Sequence, residues 1–161
     1  MKIDILSHRN LVEHLAANSK MLDAIMIVNH NPRWANDEQA ERIRLAKEHA
    51  RDLLVLTFDD TTFHRDGYQA PEPRHVREAL EWAKDREEFV VSCTAGKSRS
   101  SSIAYVLASK KIGPEEAIRI LDPNRHIPNE WVVKHGSELL DNLQVWDLFL
   151  EYQATAPAYK W

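Results

Sequence analysis

The sequence holds little of what commonly marks a function: one cysteine and four glycines stand among its 161 residues. A lone cysteine excludes an intramolecular disulfide and a multi-cysteine metal site, which leaves Cys93 as a buried filler or a reactive thiol. No apolar run approaches the roughly 20 residues that span a bilayer, and the start, Met1 to Leu6, is too short and too acidic for a signal peptide. Stable membrane insertion is therefore not expected, and the expected location is cytoplasmic. Positive charge is not in excess either: 21 Lys and Arg against 25 Asp and Glu give a net charge of -4. No global drive toward nucleic acid or anionic lipid follows from that balance. The eight histidines are scattered without His-Glu-x-x-His spacing, so neither a metal site nor a cofactor is expected, and most read as surface or cap residues. No repeat, low-complexity tract or linker divides the chain. With 43% hydrophobic residues it can bury a sizeable core, which suits one domain over 1–161. The tail from Ala154 contains Pro157 and is either frayed or docked through Trp161.

Four short runs rich in Ile, Val and Leu read as strands: Ile3 to Leu6, Ala24 to Val28, Leu53 to Phe58 and Phe89 to Cys93. Helical patterns separate them. Asn36 before Asp37-Glu38-Gln39 is an N-cap with an acidic first turn, and Val76, Ala79, Leu80 and Ala83 form an apolar helix stripe. His8-Arg9-Asn10 reads as a helix entry. Beyond Cys93 three helices are expected: Ser100 to Lys111, stopped by Gly113-Pro114; Pro114 to Leu121; and Pro128 to about Tyr152, with Trp131, Trp146 and Phe149 packing inward. Alternating strands and helices imply right-handed crossovers. The expected fold class is α/β, with a mostly parallel central sheet of about four to five strands flanked by helices.

The segment from Phe89 to Ser100 reads as strand, loop and helix. In Cys93-Thr94-Ala95-Gly96-Lys97-Ser98-Arg99-Ser100, the loop amides and the unpaired N–H groups of the helix start point into one concavity that suits a tetrahedral dianion. Gly96 lets the chain turn through angles that a β-carbon resists. A cysteine on the rim of such a hole is expected to be acidified by the amide dipoles, the helix terminus and Arg99. Arg99 offers a planar fork to two phosphoryl oxygens, and Ser100 a hydroxyl to the sulfur. A nucleotide P-loop does not fit Gly96-Lys97-Ser98, because that motif needs Gly where Val91 stands. Thr94, Ala95, Gly96, Lys97, Ser98 and Arg99 are thus the expected phosphate-binding residues.

This Cys-x5-Arg-Ser arrangement between a hydrophobic strand and a helix resembles the signature loop of the protein tyrosine phosphatase superfamily, in particular its small dual-specificity members of bacterial or phage type. The resemblance implies a phosphocysteine on Cys93 and a general-acid aspartate just past the preceding strand, where Asp59-Asp60-Thr61 stands. Asp60 fits the dual-specificity pattern and Asp59 is the reserve. Asn124-Arg125-His126-Ile127-Pro128-Asn129 resembles the segment before the last helix in such phosphatases. Ser92 departs from the pattern, since the family usually places His before the nucleophile, and this implies a less acidified Cys93. Arg65, Arg74 and Arg125 are candidates for a substrate rim near the carboxyl ends of the strands.

The expected activity is phosphomonoester hydrolysis, as a protein tyrosine or dual-specificity phosphatase working as a monomer on a phosphorylated protein or small phosphomonoester. Two alternatives stand beside it: action on a phosphoinositide or inositol phosphate, which basic loop residues such as Lys97 suggest, and a catalytically weak phosphate-recognition module, for which Ser92 is the support.

Overall fold

The computed structural model describes residues 1–160. Four strands, β1 (Lys2–Ser7), β2 (Asp23–Val28), β3 (Asp52–Thr57) and β4 (Glu88–Cys93), form one all-parallel sheet in the order β1-β4-β2-β3. Each lies within a residue, at either end, of the run of Ile, Val and Leu that predicts it.

The connections explain the layers. Helices α1 (His8–Ala17) and α2 (Asp37–His49) carry the chain across the sheet in one direction, and α3 (Pro73–Ala83) carries it back from β3 to β4. Right-handed crossovers therefore set α1 and α2 on one face and α3 on the other. Side chains alternate to match: Ala24, Met26, Val28 and Val90 pack with Leu11, Leu15 and Ala46, whereas Ile25, Ile27, Leu56, Phe89 and Val91 pack with Val76 and Ala79. The second face is also covered by α4 (Arg99–Ile112), buried from Arg99 to Ser109.

Local chemistry sets the helix ends. Ser7 turns β1 directly into α1, its Oγ accepting the Asn10 N–H at 3.2 Å, and Asn36 caps α2 through Gln39 N–H at 3.1 Å. Gly113, at φ +85°, ends α4, and Pro114 opens the short α5 (Pro114–Ala117), followed by one 3-10 turn, Ile118–Ile120.

Two expectations are corrected. The long helix from Pro128 is two: α6 (Glu130–Leu139) and α7 (Leu143–Thr155), broken where Asp141 takes φ +49° and Asn142 caps α7 by accepting the Gln144 N–H at 3.0 Å. The apolar periodicity runs through this break because Val133 of α6 and Val145 and Phe149 of α7 join one buried cluster. The tail is docked through Tyr159: a 3-10 turn, Pro157–Tyr159, is held by Ala158 N–H to Pro123 O at 2.9 Å and by Tyr159 OH to Pro128 O at 3.2 Å. The role expected of Trp161 lies outside the described residues. Of the eight histidines, His14, His30, His49, His64 and His135 are exposed or half-buried, as expected for most, while His8, His75 and His126 are buried. Among the described residues no helix is long and apolar enough to cross a membrane.

Burial, with Arg99 next in effect, lowers His8 from 6.5 to about 4; burial, with Arg74 next, does the same to His75. Between about pH 6.5 and 4 the unfolded chain therefore holds more protons than the folded one, so stability falls as pH falls through this window. From pH 7.5 to pH 5 the His8 displacement alone removes roughly 2 kcal/mol. Urea unfolding at the two pH values checks this: the midpoint drops at pH 5, and an unchanged midpoint contradicts it.

Candidate active site

The central strand β4 delivers Cys93 to the carboxyl edge of the sheet, where open α/β sheets hold their ligands. Its thiol is 2% exposed and stands 3.1 Å from Ser100 Oγ. The loop then turns at Gly96, whose φ of +68° and surroundings both demand glycine. A β-carbon there would lie 2.6 Å from Ser7 N and 2.7 Å from Leu6 C, so the loop rests directly on the backbone at the end of β1.

The carbonyls of the loop are engaged on one side by the segment before α6. Ala95 O accepts from the Arg125 guanidinium at 3.0 Å, Lys97 O from Ile127 N–H at 3.0 Å, and Ser98 O from Asn129 N–H at 3.4 Å. In a planar trans peptide the N–H opposes the C=O. The amides of Gly96, Ser98 and Arg99 therefore point away from that segment. Arg99, at the first position of α4, is 5% exposed and bridges two elements: it donates to Phe58 O at 2.9 Å and to Thr94 Oγ1 at 3.2 Å. Thr94 Oγ1 also accepts from Asn29 Nδ2 at 3.4 Å, and Asn29 is itself fixed by backbone bonds to the Gln39 side chain.

The two adjacent aspartates have opposite environments. Asp59 is buried, and both its oxygens are taken by backbone: Oδ1 by His30 and Asn31 N–H at 3.0 and 3.1 Å, Oδ2 by Gln69 N–H at 2.8 Å. It staples the loop after β2 to the loop after β3. Asp60 is exposed and turns to the loop after Cys93, its Oδ1 accepting from Ser98 Oγ at 2.8 Å and from Asn129 Nδ2 at 2.9 Å. Asn129 also caps α6, accepting the Trp131 and Val132 N–H groups at 3.0 and 3.2 Å. One buried amide thus ties acid segment, loop and helix together.

The three candidate rim arginines are dispersed. Arg125 touches the loop and, with the exposed Lys97, Asp122 and Glu130, lines a groove of about 760 Å³ beside it. Arg65 stacks on Tyr68, 4.6 Å from the ring centroid, and Arg74 pairs with Glu72 at 3.2 Å. Among the described residues no group of three or more His, Cys, Asp or Glu is arranged to hold a metal ion. Supporting residues that sequence reasoning missed are Asn29 and the Phe58 carbonyl; each stands just past or at a strand's carboxyl end, which is the only signal for them.

The four-stranded parallel sheet with helices on both faces is similar to solved structures of protein tyrosine and dual-specificity phosphatases. No family model and no curated protein sequence matches the chain. Tk-PTP in its active form is similar over 89% of this chain and 92% of its own, with 17% identity and a TM-score of 0.53. PTPMT1 in complex with PI(5)P covers 96% and 94%, with 16% identity and a TM-score of 0.51. The human tyrosine phosphatase-like serine/threonine/tyrosine-interacting protein covers 80% and 82%, with 17% identity and a TM-score of 0.50. The chain shares the fold of the protein tyrosine and dual-specificity phosphatases.

Gly96→Ala is expected to cost about 2–4 kcal/mol, the sum of a left-handed backbone strain and an overpacked contact with unyielding backbone. Chemical denaturation measures it; a loss below that of an ordinary surface substitution contradicts the close seating of the loop.

Proposed function

We propose that the protein is a cysteine-dependent phosphomonoester hydrolase of the protein tyrosine or dual-specificity type. The observation that carries this reading is that Cys93, Ser100, Arg99 and Asp60 all belong to or bond the one loop: Ser100 Oγ at 3.1 Å from the sulfur, and Asp60 held by Ser98 at 2.8 Å.

In the first step the Cys93 thiolate attacks phosphorus, the S–P bond forms as the bond to the leaving oxygen breaks, and that oxygen takes a proton from Asp60. Both hydrogen bonds to Asp60 fall on Oδ1, which leaves Oδ2 to carry the proton. Without it a phenolate, whose conjugate acid has a pKa of about 10, leaves slowly, and an alkoxide more slowly still. In the second step water attacks phosphorus, Asp60 accepts its proton, and the S–P bond breaks with Ser100 donating to the departing sulfur. The loop amides and Arg99 stabilise the equatorial oxygens in both steps. Asp59, with both oxygens already occupied by backbone donors, serves as the staple beneath the acid.

The groove beside the loop sets Asp122 and Glu130 against Lys97 and Arg125. Such mixed charge suits a phosphorylated protein segment better than a polyanionic inositol headgroup, which would meet two carboxylates there. The chain acts as a monomeric, cytoplasmic single domain in this reading.

Cys93→Ser is expected to abolish hydrolysis of p-nitrophenyl phosphate while retaining phosphate binding. Asp60→Asn is expected to lower turnover of alkyl phosphates by about 10²–10⁴ and that of p-nitrophenyl phosphate far less, since nitrophenolate needs little proton help. Steady-state kinetics on both substrates decides; an active Cys93→Ser contradicts the nucleophile, and equal losses in Asp60→Asn contradict the acid.

A further inference from the structure

His8 is a buried, titratable side chain that the reaction above does not use, and the sheet register fixes where it lies. Ser7 pairs with Cys93 across β1 and β4, so His8 stands one residue beyond the level of the thiol. Its Nε2 is 2.8 Å from Ile27 O on β2, the strand on the opposite side of β4. Ile25 pairs with Val91 and Met26 with Ser92, so Ile27 lies at the level of Cys93. Two strands flanking a third stand about 10 Å apart. The imidazole therefore crosses the end of β4 on the face where α1 packs.

Three further observations converge on that crossing. Ser92, the β4 residue on the face of Val90 and α1, is small and fully buried, and its Oγ has no hydrogen-bond partner. The residues just before His8 are the seat of the phosphate loop, since Gly96 rests on the backbone of Leu6 and Ser7. Arg99 in the site and Arg42 on α2 both act on His8, and together with burial they keep the ring neutral. A neutral ring holds Ile27 O by donation from Nε2.

We propose that His8 is a positioning residue for the phosphate loop: by bridging β1 to β2 beneath the end of β4, it fixes the Leu6–Ser7 seat on which Gly96 rests and so holds the loop amides around Cys93. The inference rests on the reading of this loop as a phosphate site. It differs from the catalytic residues in acting only through the seat. Gln at this position keeps a side-chain donor for Ile27 O, whereas Ala removes it.

The test uses the chain's one cysteine, whose reaction with iodoacetamide requires no turnover. In His8→Ala the alkylation rate at pH 7 is expected to change about tenfold, because the loop around the sulfur loses its alignment. Affinity for inorganic phosphate, measured by titration calorimetry, is expected to weaken about tenfold. His8→Gln recovers most of both, and it carries the test if His8→Ala does not fold. Leu15→Ala, on the same helix and in the same core, lowers stability without moving either reading. Unchanged alkylation and phosphate binding in His8→Ala overturn the proposal, as do equal effects in Leu15→Ala, which would reduce His8 to a general packing role. If wild-type protein binds no phosphate at all, the reading of the loop itself fails, whatever His8 does to alkylation.

Discussion

The contact on which the site depends is the seating of Gly96 on the backbone of Leu6 and Ser7, where no β-carbon has room. It joins the loop after Cys93 to the carboxyl end of β1 in a four-stranded sheet. The other supports of the loop act around this point: Arg99 braces it from β3 and Arg125 and Ile127 clamp its carbonyls. A loop built from small residues would otherwise be the least stable part of the molecule, since local order follows from buried contacts and satisfied backbone. In the proposed reaction the loop must not reorganise when charge arrives, and this bracing holds it in place.

Two aspartates and two histidines show how burial assigns chemistry to residues of one type. Asp59 and Asp60 are adjacent, yet backbone donors saturate the first and leave it structural, while the second bonds the loop through a single oxygen and keeps the other. Among the histidines, burial removes the charge from His8 and His75, so each works as a fixed hydrogen-bonding or packing group rather than as an acid or base near neutrality.

The strands, their parallel arrangement and the loop from Cys93 to Ser100 were legible because they rest on local pattern: apolar runs of the right length, a cap at Asn36, a glycine where the chain must turn left-handed. What was not legible depends on contacts between distant segments. The break between α6 and α7 rests on Asp141 and Asn142, which interrupt a leucine periodicity that continues on both sides. The tail docks because Pro123 O accepts from Ala158 N–H and Pro128 O from Tyr159 OH. Asn29 and the Phe58 carbonyl join the site only because β2 and β3 end at the same edge as β4. The burial of His8 required knowing that β4 lies between β1 and β2, which no periodicity reveals.

The central claim is a covalent phosphocysteine, and trapping it is the most direct measurement. Asp60→Asn, mixed with p-nitrophenyl phosphate and quenched in acid within the first turnover, is digested and read by mass spectrometry. The account predicts one phosphoryl group on the peptide that carries Cys93, formed at the rate of nitrophenolate release. Release of nitrophenolate with no phosphoryl group on Cys93, or with the group on another residue, would contradict it.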